Sequence, residues 1–523
     1  MYVPEEYILD YTKCKDNQYP PVTKESHANG FYHISPEYMH SQNKYTNLIN
    51  GQHYVNVPSY TLESNNKVIT NFPIAYKTWG KLSPAKDNVI VVCHALTGSA
   101  DIQDWWGPLL GPKKSFDYTK YFIICLNSMG SPYGSYSPVS ERYHGNENVG
   151  DYDFPVVTVR DDVRVHKMVL EQVLGVPFLK AVIGGSMGGM LALEYASLFG
   201  ESFVKNLVVL ASSARHSAWC ISWSEAQRQA IYSDPYFKDG LYDLEEQPAQ
   251  GLAAARMTAL LTYRSRNSFE QRFSRREASS EARLKMASTK RPRQQQQQDQ
   301  NNKLTNDRLL SSDVEFKQVS TDTKTHSSTS SNNESSSSRR EDKLFSAQSY
   351  LRYQGLKFVA RFDANCYISI TQKLDSHDLA RPAYPSANPL YEANPDAVLI
   401  NTLQNFKMPT LVIGIESDGL FTISEQEFLA KHIPNSQFKV VKSMEGHDAF
   451  LLEFVEVNGY IKNFLNEGEY QDGYTFEARG DGSLIGENGD DDADIDEDVG
   501  VFKEAIQEIK ESLAGEAGDV TDW

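Results

Sequence analysis

The amino-acid sequence predicts an α/β fold with a mostly parallel central sheet. From Phe72 onward, short runs of β-branched and other apolar residues alternate with turn signals and helix-like segments. Such runs are typical of strands that are buried on both faces of a parallel sheet. At 523 residues the chain can hold one large core with insertions. The predicted strands are Pro73–Thr78, Val89–Cys93, Phe122–Leu126, Lys180–Ile183, Leu207–Leu210, Thr410–Ile415 and Phe438–Val441.

Changes in composition divide the chain. Residues from about 275 to 345 are rich in Gln and Ser and nearly lack aromatic and β-branched side chains. We expect this insert to be disordered, because it cannot bury enough apolar area to offset its chain entropy. The predicted divisions are an N-terminal arm over 1–70, the first part of the core over 71–212, an intervening region with the insert over 213–400, the second part of the core over 401–465 and a disordered acidic tail over 466–523.

The formal charge of −18 is concentrated in the tail. Residues 467–523 contain nineteen acidic and three basic residues, so they carry −16 of that charge. The rest of the chain is nearly neutral and offers no basic face for a phosphate backbone, so nucleic-acid binding is not expected.

The cysteines and the N-terminus indicate a cytoplasmic protein. The five cysteines are widely spaced, odd in number and without a C-x-x-C pair, which argues against a disulfide framework or a metal site. The first residues, MYVPEEYILD, lack a basic start followed by an apolar run. No uncharged apolar stretch of about 18 residues occurs, so no membrane segment is predicted.

The run KAVIGGSMGGMLALEYA places a serine at a sharp turn. Gly184–Gly188 match the pattern G-x-S-x-G after a predicted strand and before a predicted helix. The pattern alone would arise by chance in roughly one chain in six of this length. The strand–turn–helix setting is more specific, because small residues on both sides permit the strained turn that exposes a nucleophilic serine. We therefore predict Ser186 as the nucleophile.

A serine hydroxyl needs a base and a group that orients the base. In α/β-hydrolase folds these groups follow the serine in the order acid, then histidine. Asp418 lies in a loop after the strand Thr410–Ile415, and His447 lies in a loop after Phe438–Val441. The sequence therefore predicts an α/β-hydrolase fold with Ser186, Asp418 and His447 as the triad and Glu416 as the rival acid.

Two backbone amides are expected to stabilise the oxyanion that forms at the attacked carbonyl. Met187, which follows the nucleophile, supplies one amide. The second is expected in the loop after the strand Val89–Cys93, and we assign it to Leu96. We interpret His94 in the same loop as a residue that orders the loop, since His447 fills the position of the base.

Several long runs carry a family resemblance. HALTGSAD, FPVVTVRDDVRVHKMVLEQVLG, GGSMGGMLALEYA, QRQAI, GLAAARMTALLTYRS, YLRYQGLKFVARFDANCYISI, IESDGLF and EGHDAF occur in this order. Together they resemble the homoserine O-acetyltransferase family over roughly residues 50–270 and 346–465. The resemblance implies an α/β-hydrolase fold with a helical lid before the triad aspartate, here over 213–400 with the insert hanging from it.

The resemblance implies an enzyme that transfers an acetyl group from acetyl-CoA to the hydroxyl of L-homoserine, in methionine biosynthesis. It implies a ping-pong mechanism with an acyl-Ser186, in which acetyl-CoA is a co-substrate and no further cofactor takes part. It also implies that Arg228 and Asp448 hold the amino-acid substrate and that the protein is a homodimer.

Other functions remain compatible with the residues. L-serine could be the acetyl acceptor, or a succinyl group could be transferred to homoserine on the same fold. Water could intercept the acyl-enzyme, as in a serine esterase or other hydrolase. A catalytically silent scaffold is the remaining alternative, and the complete Ser–Asp–His set argues against it.

Overall fold

The computed structural model describes residues 29–142, 154–278, 344–382 and 389–466. They divide into two compact units, of which the main one comprises the described residues up to Arg272 and from Gln354 onward. The second unit comprises residues 273–278 and 344–353. The first 28 residues of the predicted arm, nearly all of the predicted insert and the tail from residue 467 onward lie outside the described residues.

The main unit is built on a sheet of nine strands, in the order β1-β2-β3-β5-β4-β6-β7-β8-β9. From β5 to β9 all neighbouring strands are parallel, whereas β1, β2 and β3 join the edge as antiparallel strands. The predicted α/β-hydrolase fold with a mostly parallel sheet is thereby confirmed. The strands are β1 Tyr32–Ile34, β2 His53–Thr61, β3 Val68–Trp79, β4 Val89–Cys93, β5 Phe122–Leu126, β6 Ala181–Gly185, β7 Leu207–Leu210, β8 Thr410–Ile415 and β9 Ser436–Val441.

All seven predicted strands are present, and four of them have the predicted bounds. The structure differs from the expectation for the arm, because β1 and β2 lie within residues 29–70. Strand β2 reads HYVNVPSYT and buries Tyr54, Val55 and Val57 together with the polar Asn56. The buried asparagine breaks the apolar run, which is why the sequence pattern did not indicate a strand.

Helices cover both faces of the sheet, and the two larger apolar clusters of the described residues form there. Every residue of strands β4 to β8 is buried, as a parallel sheet between two helical layers requires. The helices are α1 Pro36–Gln42, α2 Gln103–Trp106, α3 Pro138–Arg142, α4 Val159–Gln172, α5 Met187–Phe203, α6 Ala218–Tyr232, α7 Ala249–Tyr263, α8 Arg266–Arg272, α9 Ser346–Arg361, α10 Ala364–Asp375, α11 Pro389–Ala393, α12 Pro395–Gln404, α13 Ile423–His432 and α14 Phe454–Asn466.

Helices α6, α7 and α10 interrupt the core between β7 and β8, where the lid was expected. Helix α6 packs against α7 and against α10. Within the described part of the chain, none of the helices combines the length and the apolar character required to cross a bilayer.

Candidate active site

Ser186 lies at a strained turn between β6 and α5. Its backbone has φ 58° and ψ −127°, a conformation that residues other than glycine rarely adopt. The turn is tight enough that a Cβ atom on Gly184 would lie 2.0 Å from the carbonyl oxygen of Gly188, and one on Gly188 would lie 2.1 Å from that of Cys93. The glycines therefore permit the close packing that lifts Ser186 above the carboxyl end of the sheet.

The structure brings Ser186, His447 and Asp418 together. Nε2 of His447 lies 2.9 Å from Oγ of Ser186, and Nδ1 of His447 lies 2.7 Å from Oδ2 of Asp418. His447 belongs to a 3₁₀ turn, Gly446–Leu451, that follows β9. All three side chains are at least nine-tenths buried, so bulk water does not screen these contacts strongly.

Asp418 rather than Glu416 is placed against the histidine. Oδ1 of Asp418 accepts hydrogen bonds from the amides of Leu420 and Phe421, at 2.9 and 3.0 Å. These bonds fix the carboxylate so that Oδ2 remains directed at the imidazole. Glu416, the rival acid, is exposed at the surface.

The pKa of His447 is raised above its usual value of 6.5. Burial by itself lowers it, because the imidazolium loses its hydration. The negative charge of Asp418, its hydrogen bond to Nδ1 and the charge of Asp448 outweigh burial. The pair is therefore arranged to stabilise the imidazolium that forms when the serine loses its proton.

Aromatic rings surround the imidazole of His447. The ring centroids of Phe450, Phe421 and Tyr263 lie 5.3, 5.4 and 6.0 Å from it. Gly185 accommodates Phe450, since a Cβ atom at that position would lie 2.6 Å from the phenyl ring. These contacts help to hold the imidazole in position.

The loop after β4 approaches the same site. Met187 begins α5 directly after Ser186 and is buried. Leu96 lies in a turn in which the amide of Gly98 donates to the carbonyl of Ala95, across 3.1 Å. The backbone of this loop packs against the elbow, because Gly188 meets the carbonyls of Cys93 and His94.

His94 connects two loops. Its Nδ1 lies 2.8 Å from the carbonyl oxygen of Ala95, and its Nε2 accepts a hydrogen bond from the amide of Ser128 across 2.9 Å. Nδ1 therefore carries the proton. Burial lowers the pKa of His94 to about 4, so the ring is neutral near pH 7. This geometry supports the interpretation of His94 as a residue that orders the loop.

A buried ion pair anchors the loop of Ser128 and Met129, to which His94 is bound. The ammonium group of Lys373 pairs with Asp162, and both side chains are fully buried. Lys373 also donates to the carbonyl of Met129 at 2.7 Å, and Asp162 accepts from the amide of Met129 at 2.9 Å. Since His94 binds the adjacent amide of Ser128, the ion pair holds the loop that orders the predicted oxyanion loop.

Arg228 and Asp448 occupy different surroundings. The guanidinium group of Arg228 lies within 2.9 Å of Glu225 and 2.7 Å of Asp375. Its Nη1 atom is buried without a hydrogen-bond partner among the described residues. Asp448 follows His447 in the chain, and its Oδ2 lies 3.5 Å from Nε of Arg264. Asp448 thus lies next to His447 in the chain, and Arg228 lies in a cluster with Glu225 and Asp375.

The sequence analysis did not single out Arg256, which lies on α7 and is only 5% exposed. Its Nη1 lies 3.4 Å from Oγ1 of Thr97, next to the predicted oxyanion residue. Its guanidinium carbon lies 5.7 Å from the ring centroid of Tyr263, which in turn contacts the ring of His447. An arginine among the small apolar residues of GLAAARMTALLTY was the available signal, since charged side chains on a buried helix face usually have a specific partner.

Residues 88–454 match the family model described as alpha/beta hydrolase fold. The homoserine O-acetyltransferase of Saccharomyces pastorianus is 49% identical over 500 residues, which cover 92% of this chain and 96% of the relative. The enzyme of the same name from Emericella nidulans is 50% identical over 446 residues, which cover 82% of this chain and 88% of the relative.

Solved structures share the fold at lower identity. A homoserine O-acetyltransferase from Bacillus anthracis superimposes with a TM-score of 0.58 at 20% identity, over 79% of this chain and 97% of that one. An acetylester hydrolase from Corynebacterium glutamicum has the same TM-score at 21% identity, over 81% of this chain and 98% of that one. The fold is thus common to transferases and hydrolases. The high identity to the fungal relatives over nearly the whole chain shows that this protein belongs to the homoserine O-acetyltransferase family.

Proposed function

We propose that this chain transfers an acetyl group from acetyl-CoA to the side-chain hydroxyl of L-homoserine, as a step of methionine biosynthesis. The contact of 2.9 Å between Oγ of Ser186 and Nε2 of His447 is the observation that carries the proposal. It allows a hydroxyl to lose its proton as it attacks a carbonyl, which is the step that acyl transfer through serine requires. The names of the relatives at 49 and 50% identity support homoserine as the acceptor.

In the first half-reaction, Oγ of Ser186 attacks the thioester carbonyl of acetyl-CoA while His447 accepts its proton. The negative oxygen of the tetrahedral intermediate accepts hydrogen bonds from the amides of Met187 and Leu96. When the intermediate collapses, the carbon–sulfur bond breaks and CoA leaves as a thiol with the proton from His447. An acetyl ester on Ser186 remains.

In the second half-reaction, the hydroxyl of homoserine gives its proton to His447 and attacks the acetyl ester. Collapse of this second intermediate returns the proton to Oγ of Ser186 and releases O-acetyl-L-homoserine. Donor and acceptor thus use the same serine in turn, which defines a ping-pong mechanism. The groups of the chain serve every proton transfer, so we propose no cofactor besides acetyl-CoA as co-substrate.

The acceptor is a zwitterion, and a partly dry pocket must supply a partner for each of its charges. Asp448 is suited to bind the ammonium group, because it follows His447 and is mostly buried. Arg256 reaches the loop of Thr97 and contacts a ring that packs on His447, which suits it to bind the carboxylate. We therefore propose Arg256 as the principal ligand and retain Arg228, whose buried Nη1 atom has no hydrogen-bond partner among the described residues, as the alternative.

Hydrolysis is the second candidate function, because the Corynebacterium glutamicum acetylester hydrolase has the same fold. Product analysis separates the two reactions. With acetyl-CoA as donor, we expect CoA release to depend on homoserine and O-acetylhomoserine to form in equal amounts. Equal CoA release with and without an amino acid would instead identify a hydrolase.

The same assay tests the other acceptor and donor. L-serine and succinyl-CoA are each compared with homoserine and acetyl-CoA in kcat/KM. Turnover of serine alone, or of succinyl-CoA alone, would overturn the proposed specificity. The homodimer that the family resemblance implies is a further proposal, which the molar mass in solution tests.

A further inference from the structure

Four lysines surround one small cavity of the main unit. Lys113, Lys114 and Lys120 belong to the loop that precedes β5, and Lys462 belongs to α14. Asp117 is the acidic side chain that lines the cavity with them. The cavity has a volume of about 20 Å³. This volume is close to that needed for one water-sized group, such as one oxygen of a carboxylate that approaches from outside.

The lysine loop is fixed to α14. The amide and the hydroxyl of Ser115 both donate to Asn458, each across 2.9 Å. Asp117 accepts hydrogen bonds from the amides of Lys113 and Thr119, also at 2.9 Å, so backbone groups of its own loop already engage its carboxylate. The fold therefore holds several positive charges close together, an arrangement that a bound anion stabilises.

The cavity is separate from the active site. Lys120 lies two residues before Phe122, where β5 begins, so the loop is at the amino end of that strand. Strands β5, β4 and β6 are parallel, and Ser186 follows the carboxyl end of β6. The lysines therefore lie near the amino ends of the parallel strands, whereas Ser186 lies at their carboxyl ends. The proposed reaction makes no use of this cavity.

The described chain ends at this cavity. Leu465 and Asn466, the last described residues, line it together with the lysines. The segment that follows, 467–523, carries −16, and its densest stretch, DDDADIDED at 490–498, has seven acidic side chains in nine residues. This stretch begins 24 positions after Asn466, so it follows closely on the residues that line the cavity.

We propose that residues 490–498 dock on the cavity formed by Lys113, Lys114, Lys120 and Lys462 of the same chain. The charges are complementary, and the short tether gives the acidic stretch an effective concentration on the order of millimolar at the cavity. Weak contacts between carboxylates and ammonium groups are sufficient at such a concentration. The interaction is electrostatic and exposed, so salt weakens it.

Zero-length cross-linking of the full chain tests the docking. A carbodiimide joins a lysine amine to a carboxylate only where the two are in contact, and mass spectrometry locates the new amide bond. We expect cross-links from 490–498 to concentrate on Lys113, Lys120 and Lys462. Their yield is expected to fall about tenfold between roughly 0.05 and 0.5 M salt, because screening removes surface attractions.

Variants of exposed lysines provide the control. The triple variant K113Q/K120Q/K462Q is expected to lose these cross-links without transferring them to other lysines. The matched variant K407Q/K431Q/K439Q changes three exposed lysines on other elements and is expected to keep them. The thermal midpoint of each variant, compared with that of the parent chain, establishes that it is folded.

Two outcomes would overturn the proposal. Cross-links spread evenly over the surface lysines would mean that the tail has no preferred site. In a mixture of isotope-labelled and unlabelled chains, cross-links between a labelled and an unlabelled chain would show that the tail binds a second copy instead.

Discussion

Nδ1 of His447 lies 2.7 Å from Oδ2 of Asp418, while the other oxygen of the same carboxylate accepts two backbone amides. Asp418 is thus held by the loop that follows β8, and it fixes the tautomer of the histidine in turn. Replacing it with asparagine keeps the size of the side chain but allows the amide group to donate to the ring, which favours the wrong tautomer.

We expect Asp418→Asn to lower kcat by about 10⁴-fold, as loss of the orienting carboxylate does in other triads. The kinetics of CoA release and the thermal midpoint are both measured, since a folded but inactive variant is expected. Glu416→Gln is the matched control, because this exposed carboxylate is the rival acid, and it is expected to retain activity. If Glu416→Gln lost activity while Asp418→Asn kept it, Glu416 would be the triad acid instead of Asp418.

The raised pKa of His447 is expected to set the acidic limb of the pH–rate profile. The base must be neutral to accept a proton, so a pKa above 6.5 moves the rise of kcat/KM for acetyl-CoA to higher pH. Without the charge at position 418, burial is expected to dominate and to lower the pKa of His447. The acidic limb of the residual activity is then expected to shift to lower pH. An unchanged limb in Asp418→Asn would mean that another group controls it.

Ser186→Ala is expected to lower kcat by at least about 10⁴-fold, because no side chain remains to carry the acetyl group. Alanine keeps the Cβ atom and thus the backbone strain at this position, so the free energy of unfolding is expected to change little. Intact-mass analysis with acetyl-CoA alone provides an independent readout. The parent chain gains one acetyl group and the variant gains none, whereas acetylation of the variant would point to a different nucleophile.

The grouping of Ser186, Asp418 and His447 was predictable from the sequence because each of them lies in the turn or loop that follows a predicted strand. Strands β6 and β8 are fully buried, so their ends could be located, and parallel strands bring their carboxyl ends to one edge. The position of Arg256 depends on how α7 packs over the loop of Thr97, which no local pattern records. The contacts of Arg228 with Glu225 and Asp375 likewise depend on the packing of α6 against α10.

A paired test separates the two candidate ligands for the carboxylate of the acceptor. Arg256→Gln is expected to raise KM for homoserine by about tenfold or more, since a charged hydrogen bond contributes roughly 1.5–3 kcal/mol. The first half-reaction, followed as acetylation of Ser186, is expected to change less. Arg228→Gln is expected to raise KM for homoserine less than Arg256→Gln does, because Glu225 and Asp375 engage the Nε and Nη2 atoms of Arg228 and leave Nη1 alone without a partner among the described residues. The opposite pattern would restore Arg228 as the ligand.

The close approach of α5 to the loop after β4 predicts an effect on stability. In Gly188→Ala the new methyl group would lie 2.1 Å from the carbonyl oxygen of Cys93, which is backbone and cannot turn aside. We expect a loss of at least about 2 kcal/mol in the free energy of unfolding, since overpacking forces the backbone to shift. Gly459→Ala on α14 is the control.

A Cβ atom on Gly459 meets nothing within 4 Å, so alanine is expected to stabilise the helix by up to about 1 kcal/mol. Urea unfolding of both variants measures the difference. Equal midpoints would contradict the tight elbow. Because Cys93 ends β4 and leads into the loop that carries Leu96, Gly188→Ala is also expected to lower kcat in the fraction that remains folded, whereas Gly459→Ala is expected to leave kcat unchanged.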